Sequence, residues 1–332
     1  MSLALRPLRA GIQNSDHTHP SPSPTKMTLP EAPPPISPRT ALLSSLAFTA
    51  LYVAPFYLSP TLRSTSPAHR DAPSVIRARI RSVTLACAAS LLLTAYLLTT
   101  HAHATPRDLL RLWGLWPLSL TDTLRLPALV ALLFAGPLFK SLLAEGAYRT
   151  LTPTTLKAEL WTSWTGYRNL IAAPVSEELV FRSLVVSLHL AARVPATRIV
   201  FTTPLVFGAA HLHHLAANLR ACTPAGSACP PPGAVLQCVA VSLFQLGYTS
   251  AFGFFAAFAL LRTGNLPAVV LVHGFCNAMG VPQFWGRVEG GDGEELGVEW
   301  TVAYYALLVA GAGGFWALLW AWTESANALV AF

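Results

Sequence analysis

The feature that most constrains this chain is a series of long, continuously apolar blocks. The first, ALLSSLAFTALYVAPFYL at 41–58, is followed by blocks near 80–98, 124–144, 167–190, 198–215, 234–261, 267–281 and 300–322. A helix needs about 20 apolar residues to cross the hydrocarbon of a bilayer. A membrane β-barrel would instead need short strands of alternating polarity. Composition agrees: 53% of residues are hydrophobic and 11% charged, whereas an average soluble domain is about 25% charged. The expected fold is therefore all-α, a multi-pass membrane helical bundle of about eight transmembrane helices. No internal repeat is evident, which leaves an inverted-repeat transporter little support.

Residues 1–40 are rich in Pro and Ser and hold no apolar core of signal-peptide length. They read as a disordered tail preceding a membrane domain at 41–325. The formal net charge is +7, with Lys and Arg concentrated in the N-terminal half. No basic stretch is interleaved with aromatics on a polar face, so nucleic acid is not an expected partner. Arg63, Arg70, Arg77, Arg79 and Arg81 lie between the first two blocks and suit a cytoplasmic loop touching anionic lipid. Trp113 and Trp116 beside Arg107 and Arg111 suggest that 106–117 lies in the membrane interface. Cys87, Cys238 and Cys276 sit in apolar runs as small hydrophobes. Cys222 and Cys229 share a Pro-rich loop, paired or free according to the side it faces.

Ionisable groups inside a membrane are costly and mark functional candidates. Three blocks carry them. In APVSEELVFR (173–182), Glu178 and Arg182 are four apart on one helical face and can pair. Glu177 points about 100° away, free to exchange a proton. In FGAAH (207–211), Phe207 and His211 share a face, and small residues between them allow close helix approach. In HGFCN (273–277), His273 and Asn277 share a face, and two converging donors are what an oxyanion requires. Taken singly, each set also fits helix packing, topology or interhelical hydrogen bonding. Together they supply a carboxylate base, an imidazole and two donors, the parts needed to add water to an amide.

These motifs resemble the CAAX prenyl protease 2 family, the type II CAAX endopeptidases. The family pattern EExxxR, FxxxH, HxxxN is matched in order by Glu177, Glu178 and Arg182, by Phe207 and His211, and by His273 and Asn277. FQLGYTSAFG (244–253) and RTG (262–264) look like its eukaryotic branch. The resemblance implies an eight-helix fold in the endoplasmic reticulum membrane with its catalytic core at 166–281. The implied substrates are farnesylated or geranylgeranylated CaaX proteins, such as Ras-type GTPases, from which the last three residues are removed. It makes Glu177 and His211 the base and acid, His273 and Asn277 the oxyanion hole, and Glu178 and Arg182 supporting residues, with no metal and no cofactor. The 218–233 loop and the tail depart from the pattern and bear on substrate choice or regulation.

Rival readings remain on the residues alone. Glu177, His211 and His273 could ligate zinc in a metal-dependent membrane protease, although no HExxH is present. A Glu–His relay could serve a proton-coupled transporter. Cys276 lies three residues from His273 and could act as a nucleophile, and a noncatalytic scaffold could bind lipidated chains.

Overall fold

A computed structural model describes residues 33–62, 67–210, 213–224 and 226–332. Among the described residues, eight principal helices occupy the eight apolar blocks. They are α1 (Pro38–Val53), α2 (Pro73–His101), α3 (Leu120–Leu133), α4 (the unbroken helical run 164–191), α5 (Ala196–Ala210), α6 (Pro232–Thr263), α7 (Leu266–Met279) and α8 (Val298–Trp322). Among the described residues, extended pairing is limited to one isolated bridge, Glu289 with Glu295.

The helix ends follow from local chemistry. Ser37 caps α1 by accepting from the Thr40 amide, and Pro38 fills a first-turn position that needs no N–H donor. Asn265 caps α7 by accepting from the Ala268 amide at 3.0 Å. Between α6 and α7, Gly264 adopts the left-handed conformation at φ 55°, which glycine enters without the Cβ penalty. This stop leaves two residues between α6 and α7.

Pro38–Leu58, α2, α6 and α8 are long and apolar enough to cross a membrane, and α3 with Ala135–Ala144 makes a fifth span if a bend of 81° is allowed. Helix α7 falls short for a physical reason. At ~1.5 Å per residue, the 14 residues of α7 reach about 21 Å, less than the ~30 Å hydrocarbon core. In α4 the charged residues and two π-helical turns, Arg168–Ala172 and Leu179–Leu184, interrupt the run. The second half of α4 buries against protein. Every residue from Val180 to His189 is buried, as expected of a helix enclosed on all sides. One face of α4 packs with Phe48, Leu98 and Leu109, and the other, through Val186, with Ile199, Leu260 and Val269. In contrast, α8 exposes Val302, Val309, Trp316 and Trp320, the surface a hydrocarbon solvent tolerates.

Two local features differ from the sequence reading. Only Pro106–Leu112 of the expected interfacial stretch is helical, closed by a Thr105–Asp108 capping box. Trp113 leaves the surface, packs in the core, and its carbonyl accepts from Ser183 Oγ at 2.9 Å. The Pro153–Trp161 helix lies in a polar stretch outside every apolar block and gave no membrane signal.

Candidate active site

Glu177 and Glu178 end the regular segment Ala173–Glu178 of α4, and a π-helical turn begins at Leu179. Such turns recur at functional sites because the added residue re-aims side chains. Glu178 is sealed at 0% exposure and sits 3.3 Å from the Nε of Arg182, itself 1% exposed. The approach is ionic rather than an aligned hydrogen bond, since Arg182 Nε and Glu178 Oε2 find no hydrogen-bond partner among the described residues. The guanidinium stacks 4.2 Å from the Phe207 ring centroid and 5.5 Å from that of Phe252. Aromatic faces thus supply part of the solvation that burial removes.

Helix α7 comes close enough to α4 to complete the cluster because residue 274 is glycine. A Cβ there would lie 2.8 Å from the Leu170 carbonyl oxygen. The neighbouring His273 is buried, with its ring 4.8 Å from Phe252. Its Nδ1 is 2.6 Å from Glu178 Oε1, and its Nε2 is 3.7 Å from Glu177 Oε2. A carboxylate paired with Arg182 accepts, so Nδ1 carries a proton and Nε2 is turned toward Glu177. One imidazole therefore joins two consecutive carboxylates.

Glu177 retains 19% side-chain exposure and lines a cavity of about 650 Å³ between α1, α2 and α4. Tyr52 and Ser176 share its wall and hydrogen-bond at 2.8 Å. Phe181 and Phe207 close the inner end, with ring centroids 5.0 Å apart.

Of the residues singled out in the sequence, Glu177, Glu178, Arg182 and His273 come together, and the Glu178–Arg182 pairing is present. Asn277, one turn beyond His273, is exposed, and its Nδ2 donates to the Asn169 carbonyl at 2.9 Å. His273 and Asn277 thus use different acceptors, with Asn169 itself on the cavity wall. His211 lies outside the described residues, although Phe207, one turn earlier, packs in the cluster. Cys276 packs partly buried against the apolar core. Among the described residues no three His, Cys, Asp or Glu side chains are placed to hold a metal ion. A zinc reading would need His211 as the third ligand beside Glu177 and His273.

Sequence reasoning missed the bond from Glu178 to His273 and the contributions of Tyr52, Ser176 and Asn169. Tyr52 is one of two tyrosines in a first block that also holds Ser44, Ser45 and Thr49, so nothing along the chain set it apart. Its partner lies 124 positions away, beyond the reach of helical periodicity.

Comparison with known proteins addresses the same segment. Residues 159–279 match the family profile described as Type II CAAX prenyl endopeptidase Rce1-like. The chain is 32% identical over 287 residues to the probable CAAX prenyl protease 2 of Schizosaccharomyces pombe, covering 86% of this chain and 94% of that one. It is 34% identical over 260 residues to CAAX prenyl protease 2 of Homo sapiens, covering 75% and 73%. It is 30% identical over 281 residues to that of Arabidopsis thaliana, covering 77% and 84%. No solved structure matches significantly. With near-complete coverage of a relative, and with the matched segment holding the clustered carboxylates and imidazole, this chain belongs to the CAAX prenyl protease 2 family of membrane endopeptidases.

Proposed function

We propose that this CAAX prenyl endopeptidase removes the C-terminal tripeptide from farnesylated or geranylgeranylated CaaX proteins, Ras-type GTPases among them, at the endoplasmic reticulum membrane. The observation that carries the reading is the Glu177–His273–Glu178 cluster, half of it sealed and half opening on a cavity within a membrane helix bundle. Glu177 takes a proton from water, and the resulting hydroxide attacks the carbonyl of the prenylated cysteine. Glu177 and His211 pass the proton to the departing amine, so the products are a prenylcysteine carboxylate and a free tripeptide.

Glu178 holds the Nδ1 side of His273, which leaves Nε2 for the oxyanion. Glu178 and Arg182 pair within the sealed part of the cluster, which limits the desolvation cost there. Asn277 spends one amide hydrogen on Asn169 and keeps the second for the oxyanion. Glu178 and Arg182 act through His273 by fixing its ring. The membrane domain at 41–325, with its catalytic core at 166–281, houses this chemistry, and the prenyl chain partitions with about 0.8 kcal/mol per buried CH₂.

The test is cleavage of a farnesylated CaaX peptide by the full chain reconstituted in liposomes, with mass detection of the products. Release of the intact tripeptide, retained after rigorous chelation and in Cys276→Ala, is expected. Activity abolished by chelation and restored by zinc would transfer the mechanism to the metal reading. Proton-coupled uptake without cleavage would replace it with transport.

A further inference from the structure

The cavity does not end at Glu177. It extends past Ala173 and Asn169 to Arg168, and Arg70 and Arg79 line it as well. Asp71 accepts from Arg168 Nη1 at 2.8 Å and from Arg70 Nε at 3.2 Å. Arg79 is within electrostatic reach of Arg70, Arg168 and Asp71. Asp71 therefore bonds two guanidiniums, and Arg79, which donates from Nε and Nη2 to the Leu62 carbonyl at 3.0 and 2.8 Å, leaves this part of the cavity with a net excess of positive charge. Nothing in the hydrolytic chemistry uses it.

The rest of the wall is mostly apolar, with Val53, Ile76, Ile80, Val83 and Ile171 beside Thr84 and Asn169. The cavity thus combines a carboxylate, a mostly aliphatic wall and a cationic cluster. The spacing is informative. Arg168 and Glu177 are nine positions apart on α4, about 13 Å at ~1.5 Å per residue. An extended tripeptide spans ~10–11 Å at ~3.3–3.6 Å per residue, and a guanidinium reaches the remainder. The 650 Å³ volume also falls in the ~300–1,000 Å³ range of ligand pockets.

We infer that the Arg70–Arg79–Arg168 cluster docks the free C-terminal carboxylate of the substrate, and that the apolar stretch to Glu177 measures three residues back to the scissile bond. This rests on the proposed endopeptidase reading and supplies its rule for where the cut falls. Arginine presents a fork of donors suited to a carboxylate. Arg168, with 22% of its side chain exposed, is held in place by Asp71 rather than neutralised by it, because Arg70 shares that one acid. These arginines are positioning residues and touch no reacting atom.

The test compares one farnesylated CaaX peptide as the free acid and as the C-terminal carboxamide. The full chain in liposomes is expected to prefer the acid by roughly 10–100-fold in kcat/KM, mostly through KM. Arg168→Gln and Arg70→Gln are expected to shrink that preference while leaving carboxamide cleavage near the wild-type rate. Equal cleavage of acid and amide by the wild type overturns the proposal, as does an unchanged ratio in both variants. If the variants do not fold, the wild type decides: free aaX tripeptide should inhibit and its carboxamide should not, and equal inhibition overturns the dock. If anionic lipid stimulates the wild type, and Arg168→Gln loses that stimulation with the ratio intact, the cluster serves lipid headgroups and the proposal falls. Cleavage without acid preference defeats the dock alone. Acid-selective binding without cleavage defeats the endopeptidase reading while the dock stands.

Discussion

On the inner side of α4, Glu178 is enclosed by Arg182, His273, Phe207 and Phe252, with no measurable exposure. One peptide bond earlier, Glu177 looks into a cavity shared with Tyr52 and Ser176. The two carboxylates have the same chemistry and opposite surroundings. The sealed one is tied on both oxygens, so its work is structural: it neutralises Arg182 and aims the His273 ring. Among the described residues the open one has a 3.7 Å approach to His273 Nε2 and faces the cavity, so it is the group able to meet water and substrate. In a buried cluster, accessibility rather than proximity separates the reacting acid from its support.

The largest expected effect falls on the sealed end. Glu178→Ala strands the Arg182 charge and should cost about 3–5 kcal/mol of stability, read by thermal unfolding in detergent, with activity lost as well. The double variant Glu178→Leu with Arg182→Met should recover most of that stability without activity, because His273 loses its Nδ1 partner. Recovery of activity in the double variant would break the contrast. Next, Glu177→Gln should lower turnover by about 10²–10⁴-fold while the unfolding temperature stays near wild type. A stability loss as large as that of Glu178→Ala would show that the two acids are equivalent.

A smaller effect tests how tightly the sealed end is packed. A Cβ at Gly253 would stand 2.6 Å from Pro204 Cβ and 3.1 Å from Arg182 Nη2. Gly253→Ala should therefore destabilise by about 1–3 kcal/mol, and an unchanged unfolding temperature would mean that α5 and α6 part freely. The smallest effect lies at the mouth of the cavity. The hydrogen bond from Arg168, with that from Arg70, holds the Asp71 carboxyl below the ordinary carboxylate range against a minor desolvation penalty. A depressed folded-state value stabilises the fold above the ordinary pKa, and that contribution is lost as pH falls through the depressed value. Asp71 is 38% exposed, so solvent screening keeps the contribution below about 1 kcal/mol. Asp71→Asn should lose no more than that at neutral pH and nothing once the wild-type acid is protonated, as a stability profile against pH would record.

Much of the architecture was legible in the pattern of residues, because lipid-facing helices must be long and apolar whatever their neighbours. The eight helices sit where the eight blocks lie. The pattern overstated how many resemble simple spans, since α7 is short and α4 changes to π-helical turns twice along its length. Apolarity alone does not distinguish contact with lipid from contact with protein. Trp113 illustrates the same ambiguity: an interfacial residue by composition, it is buried by Pro106–Leu112 folding against α4. Within the site, the Glu178–Arg182 pairing followed from four-residue spacing. The contact of Glu178 with His273 spans 95 positions, and no periodicity encodes it.

By itself the order of residues determined that this chain is a membrane helix bundle and that Glu177, Glu178, Arg182 and His273 deserved scrutiny. Hydrophobic block length and helical repeat are local quantities written along the chain. Only the tertiary structure decided which glutamate is sealed, which ring nitrogen faces it, and that a cavity runs from Glu177 to three arginines. Those outcomes depend on how closely helices distant in sequence approach, through contacts such as Gly274 against Leu170, and burial is a property of the assembled bundle rather than of any segment.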